Sequence, residues 1–437
     1  MFKANHHPDV NLNLNVRGMR SSATVSINEQ CNQLIAEHRQ VFKLGLGQSP
    51  FPVPDPVVEE LKAHAHEKDY LPVKGLPELQ NAVAGYLDRR HHVTRSPEDV
   101  LVGPGSKELM FLLQLVYYGD LVVPTPCWVS YAPQASIIGH KISFLHTTKE
   151  NGWQLTPERL EILCQADPDR PRIVVLNYPN NPTGGTYHLD HLKALAEVAR
   201  HYRVILLSDE IYGELHFRGQ HVSVARYYPE GTIVSGGLSK WCGAGGWRLG
   251  VFVFPHSLRW LRDAMAAVAS ETYTSTCAPI QFAAVRAYEG GIAIERYLQH
   301  SRRILRALGR WCYQRLTDCG VTVVKPEGAF YLFPDFSPLA NSLKKRGIAS
   351  SEELCHQLLD DTGVAVLPGS VFGRSSAELT VRIAFVNFDG CRALAAAEAT
   401  PTDSPLDEDF LRSWCSGTVE AFDRLCSWFH GVSASGS

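Results

Sequence analysis

The sequence predicts an α/β fold: a mostly parallel seven-stranded sheet with flanking helices, joined to a smaller α+β domain. Short β-branched apolar runs alternate with helical patterns from about residue 99 to 255. Two of these runs, RIVVLN and RVILLSD, are apolar almost throughout, as strands covered on both faces are. Beyond about residue 257 the pattern changes to long helices and then short strands. Strand, helix and strand at the earlier spacing imply right-handed crossovers in a parallel sheet.

Taken in order, residues 1–20 are polar and Asn-rich and read as an N-terminal arm. Residues 21–60 are expected to form a helix and then cross to the small domain; 61–300 form the large domain and 301–437 the small C-terminal one. Strands are expected over 99–102, 121–123, 141–145, 172–177, 203–208, 232–235 and 251–254. Between the fourth and fifth, Leu192, Leu195 and Ala199 recur at helical spacing, with charged residues opposite. A helical stretch over 278–310 opens with Pro279 in its first turn, where its missing N–H is harmless. VTVV, AFYLF, VAVLP and LTVRIAF then read as strands around a helix near 352–359. A Pro/Asp/Ser interruption after CRALAAAEAT precedes a closing amphipathic helix over 410–429, which buries Trp414, Phe422, Leu425 and Phe429.

Composition narrows the class. The 437 residues carry 42 Lys and Arg against 45 Asp and Glu, a net charge of −3, which argues against a polybasic nucleic-acid or membrane-surface binder. The first residues do not read as a secretory signal, and no apolar run reaches the roughly 18 residues needed to cross a bilayer. The 11 cysteines form no CxxC pair and suit a reducing compartment. A cytoplasmic enzyme is expected.

In an open parallel sheet, ligands bind beyond the carboxyl ends of the strands. VLVGPGSKELMF joins a strand to a helix through Gly103, Pro104, Gly105 and Ser106, a turn that can present N–H groups to a phosphate, with the Ser106 hydroxyl as a further donor. It has neither the dinucleotide fingerprint nor the P-loop spacing, and a plain strand–helix turn is the alternative. Trp128, just past the next strand, can stack on a flat ring, although most tryptophans are core. Asn177 and Asn181 end a buried strand, where Pro179 and Pro182 stiffen the turn; an Asn can donate to a phenolate-like oxygen, and an ordinary Asn-Pro turn is the alternative.

Asp209 ends the most apolar strand, where a carboxylate needs a donor or a cation, and Tyr212 follows three residues later. A metal-ligand role competes, but no histidine pair at metal-site spacing accompanies it, and His216 is isolated. Lys240 lies in a glycine-rich loop with Arg248 eight residues on. A lysine held in a cleft can lose its charge and form a Schiff base, and an arginine can hold a phosphate; a solvated loop is the alternative. Arg382, inside an apolar strand, needs a partner: a substrate carboxylate or a structural acid. One Schiff-base lysine, a buried carboxylate, a stacking indole, a phosphate cradle and a carboxylate clamp are what pyridoxal phosphate acting on an amino acid requires.

On these residues the chain resembles the class I/II aminotransferases, in the aspartate-aminotransferase-like branch of the fold type I pyridoxal-phosphate enzymes. The matching segments are GLGQSP, YLPVKGLPELQ, GPGSKELM, PCWVSY, NNPTGG, SDEIYGEL, LSKWCGAGGWRLG, PEGAFYLF, AVLPGSVFG and VRIAF, in order from Gly45 to Phe385. The resemblance implies transfer of an amino group from an L-amino acid to a 2-oxo acid through a lysine aldimine. Lys240 would hold that aldimine and move the proton, and Asp209 would face the pyridine nitrogen. Asn181 and Tyr212 would bond the phenolic oxygen, and Trp128 would stack on the ring. Ser106, the Lys107 backbone N–H, Ser239 and Arg248 would hold the phosphate. Tyr70 would reach the phosphate of the other subunit, implying a homodimer with shared sites. Arg382 would clamp the substrate α-carboxylate, with Gly47 leaving room and Asn177 assisting.

Many relatives carry a phosphate-binding serine where this chain has Gly237. The ring-binding residues are shared with pyridoxal-phosphate lyases, cyclopropane-forming synthases and deaminases, so those reactions are the alternative. A cofactor-binding regulatory domain is disfavoured by the short arm, which has no helix-turn-helix, and a dehydrogenase by the missing GxGxxG.

Overall fold

The computed structural model describes residues 11–19 and 21–434. Most of the expected arm, residues 1–10 and 20, lies outside the described residues.

All seven expected runs of the large sheet are strands. With β1 assigned to Phe42–Lys43, they are β2 (Val100–Gly103), β3 (Asp120–Thr125), β4 (Ile142–His146), β5 (Arg172–Asn177), β6 (Ile205–Asp209), β7 (Thr232–Gly237) and β8 (Gly250–Val253). Their order is β2-β8-β7-β6-β5-β3-β4, and all neighbours pair in parallel except β8, which runs antiparallel to β2 and β7. The exception follows from the connection. Only a single 3-10 turn, Gly245–Trp247, lies between β7 and β8, and a parallel return is usually made through a crossover helix.

The continuous hydrophobicity of β5 and β6 has a simple cause. Ile173, Val175, Ile205 and Leu207 pack with Leu109, Met110 and Leu113 of the helix Ser106–Val116. Val174, Leu176 and Leu206 pack on the opposite face with Leu192, Leu195 and Ala199 of the helix Leu189–His201. Alternate side chains thus enter two separate cores, so neither face can be polar.

The remaining strands are β9 (Tyr331–Leu332), β10 (Val364–Ala365), β11 (Leu367–Pro368) and β12 (Val381–Ala384). β1 pairs in parallel with β10, and β11, β12 and β9 form an antiparallel sheet. VTVV is not a strand: Thr322 exchanges backbone hydrogen bonds with Asp335, and the pairing stops there, with Pro326, which has no N–H, following closely. The helical stretch from residue 278 divides into Ala278–Glu289 and Ile292–Asp318, because Gly290 and Gly291 both take positive φ. The closing helix is likewise two, Glu408–Trp414 and Ser416–Ala434, with Phe422, Leu425 and Phe429 buried and Trp414 partly so.

The Pro/Asp/Ser interruption is held in place. Arg303, 8% exposed, donates to the carbonyls of Ala397, Thr400, Pro401 and Ser404, drawing this segment onto the Ile292–Asp318 helix. Among the described residues, no helix is long and apolar enough to cross a membrane.

Candidate active site

The carboxyl ends of β5, β6 and β7 open into a cleft of about 620 Å3, closed on its other side by residues around Gly47, by β9 and by β12. Ser106, Lys107, Trp128, Asn177, Asn181, Asp209, Tyr212, Ser239, Lys240, Arg248, Arg382 and Gly47 all line it. Tyr70 does not: it is 88% exposed.

Lys240 is half-buried in the cleft, and its Nζ donates to the Gly47 carbonyl at 2.7 Å. Burial, with Arg382 and Arg248 nearby, lowers its amine to about 8, so a useful fraction is neutral near physiological pH. It is not a solvated loop lysine.

Asp209 accepts a hydrogen bond through Oδ2 from the Tyr131 hydroxyl at 2.9 Å. Its Oδ1 is buried without a hydrogen-bond partner among the described residues. Burial pushes the carboxyl up to about 6, while the Tyr131 hydroxyl, the Ile211 N–H and Lys240 favour the charged form. An orphaned buried acceptor of this kind is costly unless something donates to it.

Asn177 braces the site from within. Its Nδ2 donates to the Asp209 carbonyl at 2.9 Å, and its Oδ1 accepts from the Asn181 N–H at 2.8 Å. Asn181 Oδ1 accepts from Arg382 at 3.1 Å, which turns the amide so that its Nδ2 is the group left to donate. Arg382 is 1% exposed, also donates to the Gly45 carbonyl at 2.5 Å and stacks on Tyr331 and Phe372 at 4.9 Å. No carboxylate pairs with it among the described residues, so the structural arginine–acid pair is not what holds it.

The glycine positions follow from close approach. A Cβ on Gly105, which has φ +93°, would overlap the Arg248 guanidinium. Arg248 donates to the carbonyls of Gly245 and Pro104, placing its charge beside the N-terminus of the Ser106–Val116 helix. A Cβ on Gly237 would come within 2.8 Å of the Leu249 carbonyl, so the close pairing of β7 and β8 excludes a serine there. Ser106, Ser239 and Arg248 remain as donors at this end of the cleft. Gly47 also makes room for a tyrosine: a Cβ there would overlap the Tyr331 hydroxyl, which bonds to that of Tyr212 at 2.7 Å.

Tyr331 and Tyr131 are the residues that sequence reasoning missed. Tyr331 stands in the AFYLF strand run and in the PEGAFYLF segment, and Tyr131 follows Trp128 in PCWVSY, but neither position carries a signal for its role. The orphaned Asp209 oxygen, the cation and N–H groups around Ser106 and the amine of Lys240 fit pyridoxal phosphate by charge and donor type.

Comparison with known proteins gives the same answer. The aminotransferase class I and II family model matches residues 39–397. An aspartate aminotransferase of Geobacillus stearothermophilus is 34% identical over 369 residues, covering 82% of this chain and 91% of its own. An aspartate/prephenate aminotransferase of Thermus thermophilus is 33% identical over 366 residues, covering 83% and 91%. The structure of Thermus thermophilus aspartate aminotransferase with maleate superposes with a TM-score of 0.81 at 28% identity, over 96% of this chain and 100% of that one. The chain belongs to the class I and II aminotransferases, with the fold type I architecture. It is a pyridoxal-phosphate-dependent enzyme that transfers the amino group of an L-amino acid to a 2-oxo acid.

Proposed function

We propose that the enzyme's preferred partners are dicarboxylic: an acidic amino acid as donor or its 2-oxo acid as acceptor. The observation that carries this is a cation in the cleft beyond Lys240, Arg248 and Arg382, to which other roles are given. Lys107 Nζ lies 5.3 Å over the Trp128 ring and has no carboxylate partner among the described residues. Lys107 is exposed at the cleft, and partial desolvation, then Arg248, lowers its amine; a second substrate carboxylate would favour its charged form. The maleate held by the Thermus thermophilus relative is a dicarboxylate of the same kind.

Bound pyridoxal phosphate supplies an electron-withdrawing ring and carries the amino group between the two half-reactions. Asp209 Oδ1 would accept from the pyridine N–H, Asn181 and Tyr212 would donate to the phenolic oxygen, and Trp128 would cover the ring. Ser106, the Lys107 N–H, Ser239 and Arg248 would hold the phosphate. Arg382 would orient the α-carboxylate within the cleft, and Lys240 would take the proton from Cα and return it. Exposed Tyr70 suits a reach into a second copy, and a homodimer with shared sites is part of the proposal. Eleven cysteines outside disulfides and a balanced charge support a cytoplasmic setting.

Lys107→Met tests the substrate class, because it keeps the contact with Trp128 and the backbone N–H while removing the charge. The kcat/KM for aspartate or glutamate is expected to fall roughly 10- to 100-fold, with alanine changed less than about three-fold. Equal losses for acidic and neutral donors would contradict the dicarboxylic reading.

A further inference from the structure

Asp209 and Trp128, the two groups assigned above to the ring nitrogen and the ring face, share one neighbour. Tyr131 opens the short helix Tyr131–Ile137 and is buried, with its hydroxyl on Asp209 Oδ2 at 2.9 Å. Its ring stands edge-on to Trp128, with centroids 5.3 Å apart and planes at 86°. It does not line the cleft itself, so it acts only through these two.

We propose that Tyr131 is a positioning residue: its hydroxyl occupies one oxygen of Asp209, leaving Oδ1 as the acceptor for the cofactor's ring nitrogen, while its ring sets the angle of Trp128. The inference rests on the role given to Asp209 above. A carboxylate with two free oxygens in a dry site can rotate or take up a proton, and either change removes the acceptor that a pyridine N–H needs. Occupying Oδ2 with a neutral donor opposes both, and it adds no charge to compete with the ring. A core tyrosine without this role would need only its ring.

The groups that set the proton affinity of Asp209 are few. Tyr131 from its helix and Lys240 from the loop after β7 favour the carboxylate, whereas the adjacent Glu210 opposes it; Tyr212 also lies close enough to interact. Removing the Tyr131 hydroxyl leaves Glu210 and burial opposed by less, so Asp209 takes up its proton at higher pH.

The test is titration of apoenzyme with pyridoxal phosphate across the range from about pH 5 to 9. Tyr131→Phe is expected to bind the cofactor about ten-fold more weakly near neutrality, and the pH below which binding is lost moves up. A fluorotyrosine placed at position 131 alone, a stronger donor of the same shape, moves that pH down. Opposite shifts from two nearly isosteric rings cannot come from packing. Wild-type affinity and an unmoved pH profile in both variants would overturn the inference, as would shifts of the same sign. If Tyr131→Phe does not fold, the fluorotyrosine protein decides alone. Wild-type protein that binds no pyridoxal phosphate would overturn the reading of the site itself, an outcome distinct from the others.

Discussion

Lys240→Ala is expected to lower the rate of amino transfer by about 10⁴-fold or more, because one side chain provides both the covalent anchor and the proton carrier. Its Nζ is the one placed for both, half-buried in the cleft with a lowered proton affinity. Lys107, the other lysine in the cleft, is drawn over Trp128. Lys240→Arg does not rescue, since a guanidinium stays charged at any working pH. Stability moves the other way. A lysine whose folded-state affinity for protons is below its unfolded value opposes folding while it is charged in the unfolded chain, a stress fully present below about pH 8 and gone above the ordinary lysine range. The apo-variant should therefore melt at or above the wild-type temperature at pH 7. A steady-state assay and a melting curve check the pair of results; lost activity with a collapsed melting temperature would indicate a structural lysine.

Arg382→Ala is expected to lower kcat/KM by about 10²- to 10³-fold, mostly through KM, for acidic and neutral donors alike. Among the described residues, the enclosed guanidinium has no acid partner and its Nε no acceptor, so its strongest possible partner is a substrate carboxylate. Arg382→Lys recovers little, because a point charge cannot repeat the two-pronged contact or the stacking on Tyr331 and Phe372. A second effect has a definite sign. Arg382 helps to depress the Lys240 amine, so its removal moves the ionisation of that lysine to higher pH, and the rise of activity with pH shifts in the same direction. Kinetics with two donors at several pH values measure both effects. An unchanged KM would contradict the clamp.

The large sheet was legible because burial on two faces writes an unmistakable pattern into β5 and β6, and because a lysine among glycines or a carboxylate at the end of an apolar strand is hard to explain as packing. What stayed hidden depends on partners distant in the chain. Tyr131 reaches Asp209 across 78 positions, and Tyr331 meets Tyr212 across 119, so each hydroxyl looked like an ordinary aromatic on its own strand or helix. Arg303 was silent for the same reason: its acceptors are carbonyls, which have no sequence signature. The antiparallel β8 and the break at Gly290–Gly291 are different. Both are written locally, in a connection without a helix and in a glycine pair, and hydrophobic periodicity alone does not register either.

The most direct test of the central claim is chemical. Protein reconstituted with pyridoxal phosphate is reduced with borohydride, digested and mapped by mass spectrometry, with Lys240→Ala as the blank. A pyridoxyl group on Lys240 and on no other lysine is the expected result. A label on Lys107 or elsewhere, or amino transfer persisting in protein that takes no label, would contradict it.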